Sequence, residues 1–357
     1  MPVPYKVKEF LIEENDTSSY VLKLAYDSLN QPIYFFRNIF TPVCHTNVCQ
    51  PVYINLYWDL VGNYLSFDFP PGKTLTKLDH EEFAPTDYEK MQAILANKNS
   101  LLKDYKMEEL VGGKTVVNGV DGVTGATLKT VKKEVIEGAV YTCHTLWHLA
   151  NGDIEKEILN ITDKLANPKE LLRFFQSDNY HYHYFAVDKV FEEPALFEEL
   201  KEEVFRKFEG ESYFLARYII ENIPDSYLEK ESHQLAFLNN YESLHYSLQL
   251  SLLKRFWESS ITISEKSIIR LSGNIENETY GHFAYKHAIF KRQESLPLEV
   301  ENYYIEILQH HYGKTSVPAE NALIKYFPKS KKSKKAIRKA RKYKYPKKHS
   351  PPNYYFD

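Results

Sequence analysis

The sequence predicts an α+β region on the N-terminal side, then an all-α repeat region, then a basic tail. Three observations carry this reading. Nine of the 13 glycines fall before residue 153, which concentrates turns and loops in the first part. Alternating runs of β-branched and aromatic residues mark residues 51–69, whereas apolar residues beyond about 165 recur every three or four positions. Charge is also partitioned. Residues 329–348 (KSKKSKKAIRKARKYKYPKK) carry 12 Lys or Arg and no acid, while residues 1–328 hold 33 basic and 47 acidic side chains, a net −14.

Within the first part, PVYINLYWDL (51–60) and GNYLSFDF (62–69) both alternate, and the LVGN between them is a tight-turn signal. They predict a β-hairpin. TDYEKMQAILAN (86–97) predicts a helix with Thr86 as N-cap, Glu89 completing a capping box, and Met91, Ile94 and Leu95 on one face. A second helix is predicted over 130–150, where Val131, Val135, Ala139, Leu146 and Ala150 keep helical spacing.

Pro, Asn, Gly and Ser punctuate the remainder into helices at roughly 168–177, 180–192, 195–208, 212–223, 228–239, 242–256, 263–272, 279–292, 298–311 and 317–327. The stretch LLRFFQSDNYHYHYFAVDKVF has a leucine pair, a polar turn and an alanine in the following helix. It resembles a HEAT-like helical hairpin, which implies an α-solenoid because no single hairpin buries its apolar face alone. A compact helical bundle is the alternative. The expected domains are 1–155 (α+β), 165–328 (all-helical repeats) and 329–357 (a basic, disordered tail).

Size and composition bound the function. A chain of 357 residues suits two domains, and 43% hydrophobic with 26% charged residues is an ordinary globular balance. No apolar run reaches the roughly 18 residues that span a bilayer. The N-terminal MPVPYKVKEFLIEEN lacks the apolar centre of a signal peptide. The expected location is therefore the periplasm or cell envelope if an export signal has been removed, and the cytoplasm otherwise. Cys44 and Cys49, close together in a Pro-flanked loop, predict a small disulfide, with two free thiols in a cytosolic loop as the alternative; the disulfide tilts the reading toward the envelope.

Catalytic constellations are sparse. His144 and His148 in HTLWH have the i, i+4 spacing of a helical metal pair but lack the Glu of HExxH and a third ligand, so a structural role is expected. His181 and His183 are also read as structural. Trp58, Tyr57 and Tyr64 can present a face to a planar ring or fill the sheet core. Lys114 and Lys129 can pair with a phosphate or stay solvated. No Ser-His-Asp pattern, P-loop or dinucleotide fingerprint occurs.

One stretch stands apart. In DGVTGATLKT (121–130), Asp121, Thr124, Gly125, Ala126 and Thr127 satisfy every fixed position of D-x-x-[S/T]-G-A-T. This resembles the flavinylation motif of FMN-binding domains, as in the flavin-carrying subunits of the Na⁺-pumping NADH:quinone reductase and of Rnf-type complexes. The resemblance covers about residues 30–152, and the helical part has no counterpart in those subunits. It implies an FMN-binding-like fold and a Mg²⁺-dependent flavin transferase that moves FMN from FAD onto the last Thr, here Thr127, as a phosphodiester. The local chemistry agrees. Gly125 permits close approach to the backbone, Ala126 leaves room beside the acceptor, and Asp121 and Thr124 can hold the loop by hydrogen bonds. A helix starting near Thr127 would offer free N–H groups to the phosphate.

The expected function is a covalent-FMN electron-transfer flavoprotein whose helical part docks a redox partner, a carrier rather than a catalyst with its own substrate. The competing readings are a helical-repeat binding scaffold whose N-terminal domain carries no flavin, and a flavin reductase acting on a small substrate. The tail is expected to be mobile, with helix forming only transiently over 333–343, and to engage an anionic membrane surface or acidic protein. The acidic body argues against nucleic acid.

Overall fold

A computed structural model describes residues 1–357 except 16–17, 44–50, 78–79, 111–130, 211, 274, 276–277, 311–312 and 345–357. The chain divides into two compact units, Met1–Asn167 and Pro168–Asp357.

The first unit is built on a five-stranded antiparallel meander in the order β1-β2-β3-β4-β5. The strands are β1 (Lys6–Asn15), β2 (Ser18–Tyr26), β3 (Pro32–Thr41), β4 (Val52–Trp58) and β5 (Tyr64–Asp68). The expected hairpin is β4–β5, with Leu56 opposite Phe67 and a register shift just before Trp58. Its turn is held by Asp59, whose Oδ1 accepts from the backbone N–H of Val61 and of Asn63. Side chains alternate across the sheet. Leu22, Leu24, Phe35, Ile54, Leu56 and Trp58 are fully buried on one face. The other face carries Tyr34, Phe36, Asn38, Phe40, Tyr53, Asn55 and Tyr57, with Phe40 61% exposed.

Three helices complete this unit: α1 (Pro85–Ala96), α2 (Val140–Asn151) and α3 (Ile154–Leu165). α1 packs on β5 and α2, and α2 packs on α3. Buried polar atoms lock them to the sheet. Trp58 Nε1 donates to the Ala150 carbonyl at 2.7 Å, and Thr162 Oγ1 donates to the Leu60 carbonyl at 2.5 Å. The first unit thus extends beyond residue 155 to include α3.

Two helix starts differ from expectation. α1 is capped not by Thr86 and Glu89 but by Pro85 at its first turn and Asp87, whose Oδ2 accepts from Ala84 N–H. The helix expected over 130–150 begins at Val140, because Gly138 sits at φ +81 and breaks it. Val131, Val135 and Ala139 are buried as the spacing demands, but from turns.

Among the described residues, the second unit is built of helices. Its helices are α4 (Pro168–Gln176), α5 (Tyr180–Glu192), α6 (Pro194–Glu209), α7 (Tyr213–Asn222), α8 (Asp225–Leu228), α9 (Glu231–Leu238), α10 (Tyr246–Glu258), α11 (Glu265–Ser272), α12 (Tyr280–Lys291), α13 (Leu298–His310), α14 (Ser316–Tyr326) and α15 (Lys331–Lys344). Their spacing is regular. α5, α7, α10, α12 and α14 start at 180, 213, 246, 280 and 316, steps of 33 to 36, and α9, α11, α13 and α15 start at 231, 265, 298 and 331. Each series packs on itself: α5 on α7, α7 on α10 and α10 on α12, and likewise α9 on α11, α11 on α13 and α13 on α15. Polar ties recur between successive layers. Gln234 Nε2 donates to the Thr262 carbonyl, Arg292 Nη1 to the Trp257 carbonyl and Ser333 Oγ to Glu301 Oε1.

The basic tail is the largest departure. Residues 331–344 are not a solvated arm but the helix α15, with Ser333, Ala336 and Ile337 buried. Arg341 pairs with Glu320 of α14 at 2.6 Å. The three- and four-residue recurrence of small and apolar positions within the charge run makes this burial possible. Residues 345–357 lie outside the described residues.

Candidate functional site

The motif residues Asp121, Thr124, Gly125, Ala126 and Thr127 lie outside the described residues, as do Lys114 and Lys129. Two flanking segments frame the stretch. On the upstream side, a 3₁₀ turn (Leu101–Asp104) is capped by Ser100, whose Oγ accepts from Leu102 N–H. Leu102 and Leu110 are fully buried. On the downstream side, Val131, Val135 and Ile136 are buried, and Lys132 and Lys133 are exposed.

Both sides are fastened to α2. His144 Nε2 donates to the Tyr105 carbonyl at 2.8 Å, and His148 Nε2 donates to the Leu102 carbonyl at 3.1 Å. Trp147 Nε1 donates to the Asn97 carbonyl at 2.9 Å. Downstream, the Ile136 N–H donates to Cys143 Sγ at 3.3 Å. Ser100 Oγ also donates to Glu134 Oε2 at 2.7 Å, joining the two sides directly. The described segments that flank residues 111–130 are therefore both fastened to one buried helix. The spacing of His144 and His148 places two rings 4.3 Å apart on that helix, where they satisfy two backbone carbonyls of the upstream turn. Among the described residues, no group of three or more His, Cys, Asp or Glu side chains is placed to hold a metal ion.

The helix expected to open near Thr127 opens elsewhere. α2 begins at Val140 with Ala139 as its N-cap, thirteen positions beyond Thr127. Thr127 therefore does not lie in the first turn of this helix in sequence.

The three aromatic candidates separate. Trp58 is fully buried among the core residues, and Tyr64 is nearly so, donating its O–H to Gln92 Oε1. Tyr57 lies on the opposite sheet face, where its O–H donates to Asp68 Oδ2 at 2.8 Å. Burial comes first among the causes that push the Tyr57 and Tyr64 hydroxyls well above the usual phenol range, with Asp68 adding to it at Tyr57. Both stay neutral at physiological pH. On that face Asn38 donates to Asn55 and Asn55 to Asp68, so the polar groups are mutually satisfied.

Two features leave no mark in the local sequence. One is a cavity of about 770 Å³ between β1 and α3, lined by Phe10, Glu13, Glu157, Asn160, Asp163 and Lys164 among others. Its acidic rim disfavours a phosphate-bearing ligand. The other is a buried ion pair in the helical unit. Lys286 Nζ donates to Glu278 Oε2 at 2.7 Å with both side chains 2% exposed, and Tyr303 O–H donates to Glu278 Oε1 at 2.7 Å. Only the packing of the fold brings these residues together, so local spacing carries no signal for them. His181 and His183 sit in α5, where His183 Nε2 donates to the Ser177 carbonyl at 2.7 Å. Cys44 and Cys49 lie outside the described residues, and Cys143 is a buried thiol. No helix among the described residues is long and apolar enough to cross a membrane. Compared with known protein families, curated proteins and solved structures, the chain matches none.

Proposed function

We propose that the protein is an electron-transfer flavoprotein that carries FMN covalently on Thr127, and that its helical unit docks a redox partner. The observation that carries the reading is the agreement of Asp121, Thr124, Gly125, Ala126 and Thr127 with all fixed positions of the flavinylation motif. Attachment breaks the pyrophosphate bond of FAD. The Thr127 hydroxyl oxygen gains the phosphorus, its proton is lost to solvent, and AMP leaves. A flavin transferase is thus an obligatory partner. Attached FMN supplies electron transfer, and the chain needs no acid, base or metal of its own for it. The chain's own task is positioning. The hold of α2 on both sides of residues 111–130 supports this, since a redox group needs a rigid base.

The helical unit is read as a stacked array of helical hairpins. The support is the recurrence of helix starts at 33 to 36 residues and the packing of alternate helices on one another. That period is shorter than the roughly 40–47 residues of HEAT repeats and close to the roughly 34 of tetratricopeptide repeats. α15 ends the array, and its outward Lys331, Lys332, Lys334, Lys335, Arg338 and Lys339 offer an anionic surface an electrostatic contact.

Co-expression with a flavin transferase followed by intact mass measurement tests the proposal. The expected mass exceeds the polypeptide by one FMN less water, and yellow colour stays with the acid-denatured chain. Thr127→Ala abolishes both, and Thr124→Ala leaves Thr127 as the only site where any residual flavin is found. An unmodified mass with an active transferase present favours the flavin-free scaffold reading instead.

A further inference from the structure

The ladder between β2 and β3 is incomplete. It pairs Lys23 with Phe36, Leu24 with Phe35, Ala25 with Tyr34 and Tyr26 with Pro32, and then stops. Beyond it, among the described residues, Ser18–Leu22 pairs only with β1, and Arg37–Thr41 pairs only with β4. Two strand edges therefore face each other without bonding. A strand edge left with unused N–H and C=O groups is a template for another extended chain.

Between these edges lies a cleft of about 320 Å³, lined by Tyr20, Val21, Lys23, Arg37, Asn38 and Phe40 among others. That volume is at the small end of ligand sites. Its cations differ in availability. Lys23 is taken by Glu9 at 3.3 Å, and the Asn38 amide is taken by Asn55. Arg37 is half-buried, with its guanidinium stacked 3.8 Å from the Tyr20 ring centroid, and its side chain makes no hydrogen bond or ion pair among the described residues. Burial pulls its pKa down from the usual guanidinium value, against the opposing pull of Tyr20 and Glu14, yet an arginine stays charged. A half-buried guanidinium that no described carboxylate contacts directly is costly to keep, and a carboxylate meeting the planar fork relieves that cost.

We propose that this slot receives an extended segment of a partner protein whose side chains alternate apolar and acidic, with one carboxylate on Arg37. The alternation follows from the sheet. Arg37 and Tyr20 lie on the helix-covered face, whereas Val21, Asn38 and Phe40 lie on the open face. A strand entering the slot turns successive side chains to these two faces in turn. Its carboxylates meet Arg37, and its apolar side chains meet Val21 (38% exposed) and Phe40. Its backbone satisfies both open edges, antiparallel to one and parallel to the other. A free small anion would leave those edges unused, so the segment is the better occupant. The slot requires no flavin on Thr127.

The test uses the full chain and a blocked Val-Asp-Val-Glu-Val peptide, with Val-Lys-Val-Lys-Val and sodium acetate as controls. Fluorescence polarisation gives affinity, and hydrogen exchange read by mass spectrometry gives the place. The acidic peptide is expected to bind and to slow exchange at 18–22 and 37–41, and the basic peptide is expected to do neither. Arg37→Gln should weaken binding at least tenfold, and Arg37→Lys less than that. Phe40→Glu, a change at an exposed position, should also weaken it and serves as the decisive variant if Arg37→Gln does not fold. The proposal is overturned if the acidic peptide gives no protection at these two segments. It is equally overturned if folded Arg37→Gln or Phe40→Glu binds the peptide as tightly as the original, or if acetate alone reproduces the protection.

Discussion

Gly62 shows how one residue can be required twice over. It occupies φ +83 in the β4–β5 turn, and a Cβ there would lie 2.8 Å from Glu155 Cγ and 3.0 Å from Glu155 Cα. Gly62→Ala therefore meets both backbone strain and the start of α3. It should cost about 1–3 kcal/mol in a denaturant titration. Gly72, at φ +73 with nothing within 4 Å of where a Cβ would stand, isolates the backbone part, and Gly72→Ala should cost less. Equal costs would show that α3 yields freely. In the helical unit the buried pair makes a different prediction. Lys286→Met leaves the Glu278 carboxylate with Tyr303 but without its cation, and should destabilise by about 3–5 kcal/mol. Adding Glu278→Gln should recover part of that loss, because the stranded charge is gone. A double variant as unstable as the sum of the singles would refute this.

At the scale of elements, α15 changes what the basic run means. As a free arm it could be deleted without effect on folding. As a helix packed on α13 it covers apolar surface through Ala336 and Ile337 and satisfies Glu301 through Ser333. Removing residues 331–357 should therefore lower the melting temperature of the helical unit. Ile337→Asp should do the same by burying a carboxylate against α13. Lys334→Gln, on the exposed side, should stay within about 0.5 kcal/mol of the original. A truncated chain that melts unchanged would return the segment to the status of an arm. The charge remains outward in either case, and binding to anionic vesicles should fall as salt rises.

For the whole molecule, pH reads out two half-buried histidines of the helical unit. Burial is the first cause that lowers His183, with Lys207 adding to it against Ser177 and Asp178, and burial with Lys291 lowers His287. Both therefore have folded pKa values below the unfolded value of about 6.5. The unfolded chain takes up protons first as pH falls, so stability is highest above that value and declines as pH drops through it toward the folded values. Glu198 works in a lower window. Hydrogen bonds from Lys201 and Lys230 hold it at about 2, so its contribution is fully present above the unfolded value of about 4.3 and is lost as pH falls from there toward 2. Melting curves should thus shift downward as pH falls from about 7.5 to about 5.5, and His183→Gln with His287→Gln should flatten that dependence. A flat profile in the original protein would contradict the assignment.

Helix signals are local, and so the order of amino acids alone was enough to place α4 to α7 and α9 to α14 of the helical unit. Apolar residues three and four apart and nearby caps placed a helix over 180–192, and α5 spans Tyr180–Glu192 with Asn179 capping it. The β4–β5 hairpin was legible for the same reason, from alternation and a glycine turn. The candidate site was legible only as a motif, since Asp121–Thr127 is a contiguous pattern that needs no partner to be recognised. Whatever depends on distant contacts emerged only in the folded chain. β1 to β3 form one sheet through pairings that leave no local mark, and Lys6–Asn15 is mostly exposed and reads as polar chain. The periodic valines at 131 and 135 are buried as turns because Gly138 adopts a left-handed φ that spacing does not reveal. The basic run became a packed helix because α13 supplies a surface for Ser333, Ala336 and Ile337. The Arg37 cleft exists because two strands part after four pairs, a register event that only the assembled sheet can produce.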